Sequence, residues 1–143
     1  MQPATAHRVR RVKNRLIEKV GLDPKRYNIA DGSGLSLYNY VTAELEVRLL
    51  RYAFKNNNIY LHLHPSLPQA GTDGTLRKRM TSPFTQGNVY AKTGTLSGIS
   101  SLAGYCTAAN GHRLAFAIIN QGLLHGRNGR SFQDRVCTIL CQP

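Results

Sequence analysis

The fold of this chain is decided by residues 88–120, NVYAKTGTLSGISSLAGYCTAANGHRLAFAIIN. Three runs in this stretch have the short, apolar-rich pattern of strands: 88–95, 101–108 and 112–120. The dipeptide Asn110-Gly111 separates the last two runs, and Asn-Gly between apolar-rich runs is a strong hairpin signal. The stretch therefore predicts a three-stranded antiparallel meander.

Apolar residues at helical spacing predict three helices around this sheet. The first helix ends at Gly21, the second runs from Val41 to Phe54 and the third from Ser131 to Leu140. Their apolar faces are, in the same order, Val9, Val12, Leu16 and Val20; Leu45, Leu49 and Ala53; and Phe132, Val136 and Leu140. Helices packed on an antiparallel sheet make an α+β fold.

The segment 62–80, HLHPSLPQAGTDGTLRKRM, contains two prolines and two glycines and is expected to be mostly loop, with a helical turn or two from Thr75 to Met80. In an extended segment His62 and His64 would share one side. No third metal ligand is evident near them, so surface or packing roles are expected. Arg79 is expected to help order this loop.

Length and charge limit the possible classes. The chain has 143 residues, enough for one domain, and 19 Lys and Arg against 7 Asp and Glu give a formal net charge of +12. This charge favours anionic partners such as nucleic acid, anionic lipid or an acidic polymer, although basic residues crowded into the first 26 positions also fit a solvated helix face. No apolar run is long enough to span a membrane, and no apolar region follows the basic residues as a signal peptide requires.

Three cysteines, Cys106, Cys137 and Cys141, form no Cys-x-x-Cys pair and no cluster with histidine at zinc spacing. Neither a metal site nor a cofactor is therefore expected. Cys137 and Cys141 are four residues apart and would share a helix face, where burial as small apolar residues explains them.

The tetrapeptide Lys92-Thr93-Gly94-Thr95 is the first motif that could carry chemistry. A lysine supplies charge-assisted binding of a carboxylate, threonine hydroxyls orient that carboxylate, and a glycine lets the backbone approach a ligand. The alternative is an exposed strand with a solvated lysine.

The second motif is DGSGLSLYN, residues 31–39. If the turn after Leu35 is helical, Ser36 and Asn39 project to the same side and offer a hydroxyl and an amide to one cleft. The alternative is a serine that caps a helix after a glycine-rich entry.

Three blocks occur in order and resemble the D-alanyl-D-alanine carboxypeptidase/endopeptidase family of class C low-molecular-mass penicillin-binding proteins: DGSGLSLYN (31–39), LPQAGTDGTLRKRM (67–80) and AKTGTLSGISSLAGY (91–105). The resemblance covers about residues 9 to 135. It implies the carboxy-terminal half of a penicillin-binding/β-lactamase-like transpeptidase domain, with residues 1–143 as a single partial domain.

The resemblance also implies roles. Lys92, Thr93 and Gly94 match the family's Lys-Thr-Gly motif, and the Thr95 N–H is a candidate oxyanion donor. Ser36 and Asn39 fall in the block assigned to the Ser-and-Asn motif, although their spacing is one residue longer than Ser-x-Asn, and Ser33 is a lesser candidate. In such enzymes a serine, activated by a lysine, attacks the bond between two D-alanines and forms an acyl-enzyme that water resolves and that β-lactams trap.

The nucleophile pair Ser-x-x-Lys of this family occurs nowhere in the 143 residues. We therefore expect a fragment or truncated gene product, inactive alone, of a periplasmic or otherwise extracytoplasmic enzyme acting on peptidoglycan stem peptides. Two alternatives stay open. One is a non-catalytic peptidoglycan-binding remnant, and the other, suggested by charge alone, is a nucleic-acid-binding module, for which no aromatic stacking platform or zinc framework is evident.

Overall fold

A three-stranded antiparallel sheet with the order β1-β2-β3 forms the centre of the fold. The computed structural model describes residue 11 and residues 13–143. The strands are β1 (Tyr90–Leu96), β2 (Ile99–Thr107) and β3 (Arg113–Asn120), as the sequence predicts. Gly98 and Gly111 turn the chain between them with φ of 70° and 83°, a left-handed conformation that glycine adopts without strain.

The main core lies between one face of this sheet and the terminal helix α4 (Gly126–Cys141), which packs on β2. The predicted start at Ser131 is therefore too late. The predicted face is wrong at Phe132, which is 45% exposed because the helix is rotated by one residue, whereas Leu140 of that face packs against the main core. The residues that α4 buries are Gly129, Gln133, Cys137 and Cys141.

Gln133 explains this rotation. Its amide donates to Ser100 Oγ at 3.1 Å and to Asn120 Oδ1 at 3.0 Å, which satisfies a polar side chain that is fully buried. Gly129 allows the helix to approach the sheet, because a Cβ at this position would lie 2.9 Å from Ser100 Cβ.

All three cysteines lie in this main core and none forms a disulfide. Burial raises the pKa of Cys106 and of Cys137 to about 12, and it also raises that of Cys141. A buried thiol that holds its proton is a poor nucleophile, so the predicted packing role fits the structure.

The opposite face of the sheet is covered by helix α2 (Ala43–Lys55), which packs on β3 and β2, and by helix α3 (Asn57–Ser66), whose aromatic side chains contact Tyr90 and Tyr105. Helix α2 begins at its N-cap Thr42, whose side chain accepts from Leu45 N at 3.2 Å, and it buries Leu45 and Ala53 as predicted. The Tyr105 hydroxyl donates to Leu50 O at 2.7 Å and fixes this helix to β2.

Helix α3 corrects the prediction of a loop from residue 62. Pro65 stands in its last turn, where the helix is about to end at Ser66, and this proline misled the sequence interpretation. His62 and His64 therefore lie on a helix, and residues two apart on a helix point to different sides. His64 packs between Tyr60 and Tyr90, with ring centroids 5.0 and 4.2 Å away.

A smaller core joins α2 to the first helix, α1, which spans 13–19 and ends before Gly21 at φ 77°. Its buried residues are Ile17, Tyr27 and Leu45. Ile17 rather than the predicted Leu16 faces this core, since Leu16 is 38% exposed. Val20 packs against it, whereas Val9 and Val12 lie outside the described residues.

Gly104 is the tightest point of the sheet and gives a test of the register. A Cβ added there would meet Tyr90 O and lie 2.6 Å from Ala91 Cα, so we expect Gly104→Ala to lower the free energy of unfolding by about 1–3 kcal/mol. Urea denaturation measures this change. Gly32→Ala is the matched control, because a Cβ there meets nothing within 4 Å. Equal stability of the two variants would contradict the register.

Candidate functional site

A cleft of about 450 Å³ separates the loop that follows α1 from the β1–β2 hairpin. The loop lies at one wall and the strands at the other. The cleft is lined by Lys13, Ile29, Asp31, Gly32, Gly34, Ser36, Asn39, Tyr40, Val41, Glu46, Gly94, Thr95, Leu96, Ile99, Ser101, Ile119 and Gln121. The structure thus brings together four of the predicted site residues: Ser36, Asn39, Gly94 and Thr95.

The loop wall is closed at its base by a bridge between Asn28 and Tyr40. Within it, one carboxylate organises the turn: Asp31 accepts hydrogen bonds from Ser33 Oγ at 2.8 Å, Asn39 Nδ2 at 3.0 Å and Gly34 N at 3.2 Å. The hydrogen bond from Asn39, and after it the one from Ser33, holds the pKa of Asp31 below its usual range. The wall is therefore shaped by its own polar residues.

The Asn39 side chain is occupied by this loop. Besides the bond to Asp31, its Oδ1 accepts from Ala30 N at 2.7 Å and from Asp31 N at 3.3 Å. Both lone pairs of the oxygen and one of the two donor hydrogens are thus used within the loop, so one Nδ2 hydrogen remains for a ligand. This geometry gives Asn39 a positioning role in the loop and is compatible with the predicted contact.

The two serines of the loop differ in what they face. Ser36 lines the cleft, where its Oγ accepts from Tyr38 N at 3.2 Å and keeps its hydroxyl hydrogen for another acceptor. Ser33 does not line the cleft and donates to Asp31 instead. Ser36 is therefore the better placed of the two candidates.

The strand wall offers backbone groups at a sheet edge, because β1 pairs only with β2 among the strands described. The Ala91 N–H points away from β2 and donates to Pro68 O at 3.0 Å. Since N–H directions alternate along an antiparallel strand, the amides of Thr93 and Thr95 point to the same outer edge. The Thr95 amide is therefore placed to donate to a ligand in the cleft.

Lys92 and Thr93 lie beside the cleft lining. Lys92 is exposed and its Nζ donates to Thr93 O at 2.7 Å, while Thr93 Oγ1 pairs with Thr75 Oγ1 at 3.1 Å. Lys92 shares a strand face with Gly94, whose Cα is about 7 Å along the strand, within reach of a lysine side chain. At Gly94 a Cβ would collide with Ser101 Oγ, so glycine leaves this hydroxyl room in the cleft.

Two charged residues of the cleft were not anticipated from sequence as part of a site. Lys13 was assigned to a solvated helix face, yet its Nζ donates to Asp31 O at 2.6 Å and to Ile29 O at 3.4 Å, which fixes the loop to α1. Glu46 lies in the first turns of α2, and no donor among the described residues reaches its buried Oε2. Burial raises the pKa of Glu46.

Arg79 orders the loop next to the cleft, as the sequence suggested. Its Nη2 lies 2.7 Å from Asp134 Oδ1 and 3.0 Å from Gln133 Oε1, so that residues 67–80 are anchored on α4. The same loop carries Thr75 and Pro68, which contact β1. Residues 67–80 therefore link the edge of the cleft to the main core.

In the described part of the chain, no group of three or more His, Cys, Asp or Glu side chains is placed to hold a metal ion. No helix in that part has the length and apolar character needed to cross a bilayer.

Comparison with known proteins identifies a family and several relatives. Residues 2–142 match the D-Ala-D-Ala carboxypeptidase 3 (S13) family. The chain is 43% identical over 128 residues to a D-alanyl-D-alanine carboxypeptidase of Actinomadura sp. (strain R39), covering 86% of this chain and 23% of that protein. It is 40% identical over 113 residues to the D-alanyl-D-alanine carboxypeptidase DacB of Haemophilus influenzae, covering 78% of this chain and 23% of that protein.

A solved structure shows the same fold. Penicillin-binding protein 4 (dacB) from Haemophilus influenzae, in complex with a β-lactam, superposes with a TM-score of 0.80 and 34% identity over 91% of this chain and 32% of that chain. The chain therefore has the α+β fold of one part of this penicillin-binding protein, as expected. The chain spans about a quarter of the length of the two curated relatives.

The positioning role of Asn39 can be tested by hydrogen exchange. Asn39→Ala removes the acceptor of the Ala30 and Asp31 amides, so the exchange of each should accelerate by about fivefold, as expected for loss of a hydrogen bond worth roughly 1 kcal/mol. Asn58→Ala, at an exposed position on α3, is the control. Unchanged exchange at both loop amides would contradict this role.

The buried carboxylate gives a pH test. Because the pKa of Glu46 is higher in the folded chain, the folded state binds its proton more strongly, and stability falls as pH rises from about 4.3, the usual glutamate pKa, through the raised value. Lys13, Asp31 and Tyr40 are the other titratable groups that line this cleft. Urea unfolding at several pH values should show that Glu46→Gln removes this decrease in the free energy of unfolding with rising pH.

Glu44→Gln, which removes an exposed carboxylate from the same helix, controls for the change in net charge. Identical pH profiles for the parent chain and Glu46→Gln would show that Glu46 is not desolvated in the folded state.

Proposed function

Because this chain belongs to the D-Ala-D-Ala carboxypeptidase 3 (S13) family, we propose that it forms the carboxy-terminal part of the catalytic domain of a serine-type D-Ala-D-Ala carboxypeptidase or endopeptidase. The substrate is the stem peptide of peptidoglycan, and β-lactams are competing ligands of the complete enzyme. Its place of action is the periplasm or another extracytoplasmic compartment, where that substrate lies.

One observation carries this proposal: the open edge of β1 and the loop bearing Ser36 face each other across a single cleft. A peptide lying along the edge of β1 would pair with the outward amides of Thr93 and Thr95. The Thr95 N–H would stabilise the oxyanion that forms when the peptide carbonyl is attacked. Lys92 would attract the terminal carboxylate, with the hydroxyl of Thr93 beside it.

The nucleophile is proposed to come from polypeptide outside these 143 residues, because they contain no Ser-x-x-Lys. Three large side chains of the loop wall are exposed to solvent: Leu35 and Leu37 are each 68% exposed, and Tyr38 is 70% exposed. Contiguous exposed apolar groups usually mark a contact surface. They support the view that a further segment, carrying the serine and its lysine, closes the cleft on this side.

In the complete site the serine hydroxyl would add to the carbonyl of the penultimate D-alanine while the lysine accepts its proton. The C–N bond would then break as this proton passes, with the hydroxyl of Ser36 as a relay, to the nitrogen of the leaving D-alanine. Asn39 and Asp31 would hold the loop that presents Ser36. Water would then hydrolyse the ester and regenerate the serine.

Binding of a minimal ligand tests the cleft. The chain is titrated with N-acetyl-D-Ala-D-Ala and the amide resonances are followed by NMR. The resonances of Thr93, Thr95 and Ser36 should shift. Lys92→Ala should weaken binding by about fivefold, the loss of an exposed charge interaction worth about 1 kcal/mol. Lys55→Ala, at the far end of α2, controls for net charge and should leave affinity unchanged.

A labelled penicillin tests the missing nucleophile on the same sample. We expect no covalent adduct by mass spectrometry. An adduct would show that these residues hold a nucleophile and would overturn the proposed division of the site. Shifts that avoid β1, or equal losses in the Lys92 and Lys55 variants, would instead overturn the assignment of the cleft and indicate charge-driven adsorption.

A further inference from the structure

Most of the positive charge of this chain has no part in the proposed reaction, although the formal net charge is +12. Some of this charge is concentrated in a groove of about 580 Å³ between α1 and α2. A second groove of about 300 Å³ shares Arg51 and Lys55 with the first and reaches Arg113 at the start of β3. We call the two together the basic groove. Its basic residues are Lys19, Arg48, Arg51, Lys55 and Arg113.

Arg48 holds the two walls of the basic groove together. Its side chain forms an ion pair with Glu44 at 2.9 Å, and its Nη1 donates to Val20 O, just after α1, at 3.2 Å. Among the described residues that line the groove, Glu44 is the only acid. Arg48 and Glu44 therefore balance each other and have a structural role.

Three other cations of the basic groove have no acidic partner. Lys19, Arg51 and Lys55 are exposed, and none of them takes part in an ion pair within the described part of the chain. Arg51 and Lys55 are four residues apart on α2, where like charges repel and weaken the helix. The groove thus keeps a row of cations that the carboxylates around it do not balance, and charge complementarity favours an anionic occupant.

We propose that the basic groove is a docking surface for a linear phosphodiester polymer that carries no bases, for example a chain of polyol phosphates. Successive phosphates would lie beside Lys19, Arg51 and Lys55 and continue towards Arg113. Docking of this kind would keep the chain on an anionic polymer while the cleft stays open to its own ligand. The proposal does not depend on the reaction proposed above.

The spread of the cations favours a polymer over a single small anion. Along α2, Lys55 lies about 10 Å beyond Arg48, and Lys19 and Arg113 belong to two further elements. A polymer with a charge in every unit meets such a row one phosphate at a time. Arginine binds a phosphate through two parallel hydrogen bonds and lysine binds it as a point charge, so both suit this ligand.

The shape and the aromatic residues of the basic groove favour a polymer without bases. The exposed ring of Phe54, which lines the groove, meets the ring of Tyr60 edge to face at a centroid distance of 5.1 Å. One such ring is not the row of aromatic faces on which successive bases stack. The surface is also concave, whereas proteins that lie on a bilayer insert an apolar face into it. The charged backbone of a polymer is therefore what the groove can recognise.

The basic groove opens on the side of α2 that faces away from the cleft. Glu46 lines the cleft and Lys55 lines the groove, and these residues are nine positions apart, which is about two and a half helical turns. Their side chains therefore leave the helix in opposite directions. None of the described residues lines both the cleft and the groove. A ligand in the cleft and a polymer in the groove can be bound at the same time.

The test measures binding of fluorescently labelled short poly(glycerol phosphate) to the full 143-residue chain by anisotropy at several salt concentrations. Affinity should fall as salt rises, because each contact with a phosphate releases counterions. Arg51→Gln should weaken binding by about fivefold and reduce the slope of log affinity against log salt by about one. Lys19→Gln, on the other wall of the groove, should have the same effect.

Arg135→Gln is the matched control, because it removes the same charge from an exposed position on α4, which packs on the other face of the sheet. This variant should keep the affinity and the salt slope of the parent chain. Equal losses in the Arg51 and Arg135 variants would show attraction by net charge alone and would overturn the docking surface.

Two further ligands distinguish the polymer from other anionic partners. Oligothymidylate with the same number of phosphates should bind no more tightly than poly(glycerol phosphate), and vesicles that contain phosphatidylglycerol should bind less tightly at equal accessible phosphate. Tighter binding of the oligonucleotide would assign the groove to nucleic acid, and tighter binding of the vesicles would assign it to a membrane surface. Either result would refute the proposal, whereas failure of the N-acetyl-D-Ala-D-Ala titration would count only against the proposed function.

Discussion

The antiparallel register between β1 and β2 is the constraint on which the rest of the structure depends. The pairing of Ala91 with Gly104 brings the two backbones so close that only glycine fits, and it fixes which side of each β1 residue faces β2. The same register turns the amides of Thr93 and Thr95 to the open edge and sets Gly94 against Ser101. A shift of one residue would exchange the two sets of groups, and the cleft would lose its strand wall.

The opposite wall reaches its shape by different physics. A loop of polar and glycine residues has little apolar surface to bury, so hydrogen bonds must define it. Asp31 and Asn39 bind each other and also the intervening backbone, and Lys13 fixes the result to α1. Because these bonds are local, the loop can keep its form while Leu35 and Leu37 remain in solvent. A wall of this kind therefore holds its shape without burying the apolar side chains that it carries.

Features that depend on neighbouring residues in the sequence were predicted. Features that depend on contacts between residues far apart in the chain were not. Strand patterns, Asn110-Gly111 and the face of α2 identified the sheet and one covering helix. The rotation of α4 depends on the hydrogen bond from Gln133 to Ser100, 33 residues away, and the spacing of apolar residues cannot predict such a bond. Helix α3 was missed because Pro65 signals a break, although a proline in a last turn ends a helix without preventing it.

The same distinction between local patterns and distant contacts applies to the candidate site. Three motif residues, Ser36, Gly94 and Thr95, line one cleft, but motif spacing could not show that the carbonyl oxygen of Asn39 is used by its own loop. Glu46 carries no motif at all and is distinguished only by its burial. Its neighbour Glu44 has the same chemistry, lies two residues away on the same helix and is paired in solvent. Two glutamates so alike in sequence differ only in which face of α2 they occupy, and that face is fixed by Leu45 entering the smaller core. The raised pKa of Glu46 is therefore a consequence of packing: the side chain that enters the smaller core decides which of the two neighbouring carboxylates is desolvated.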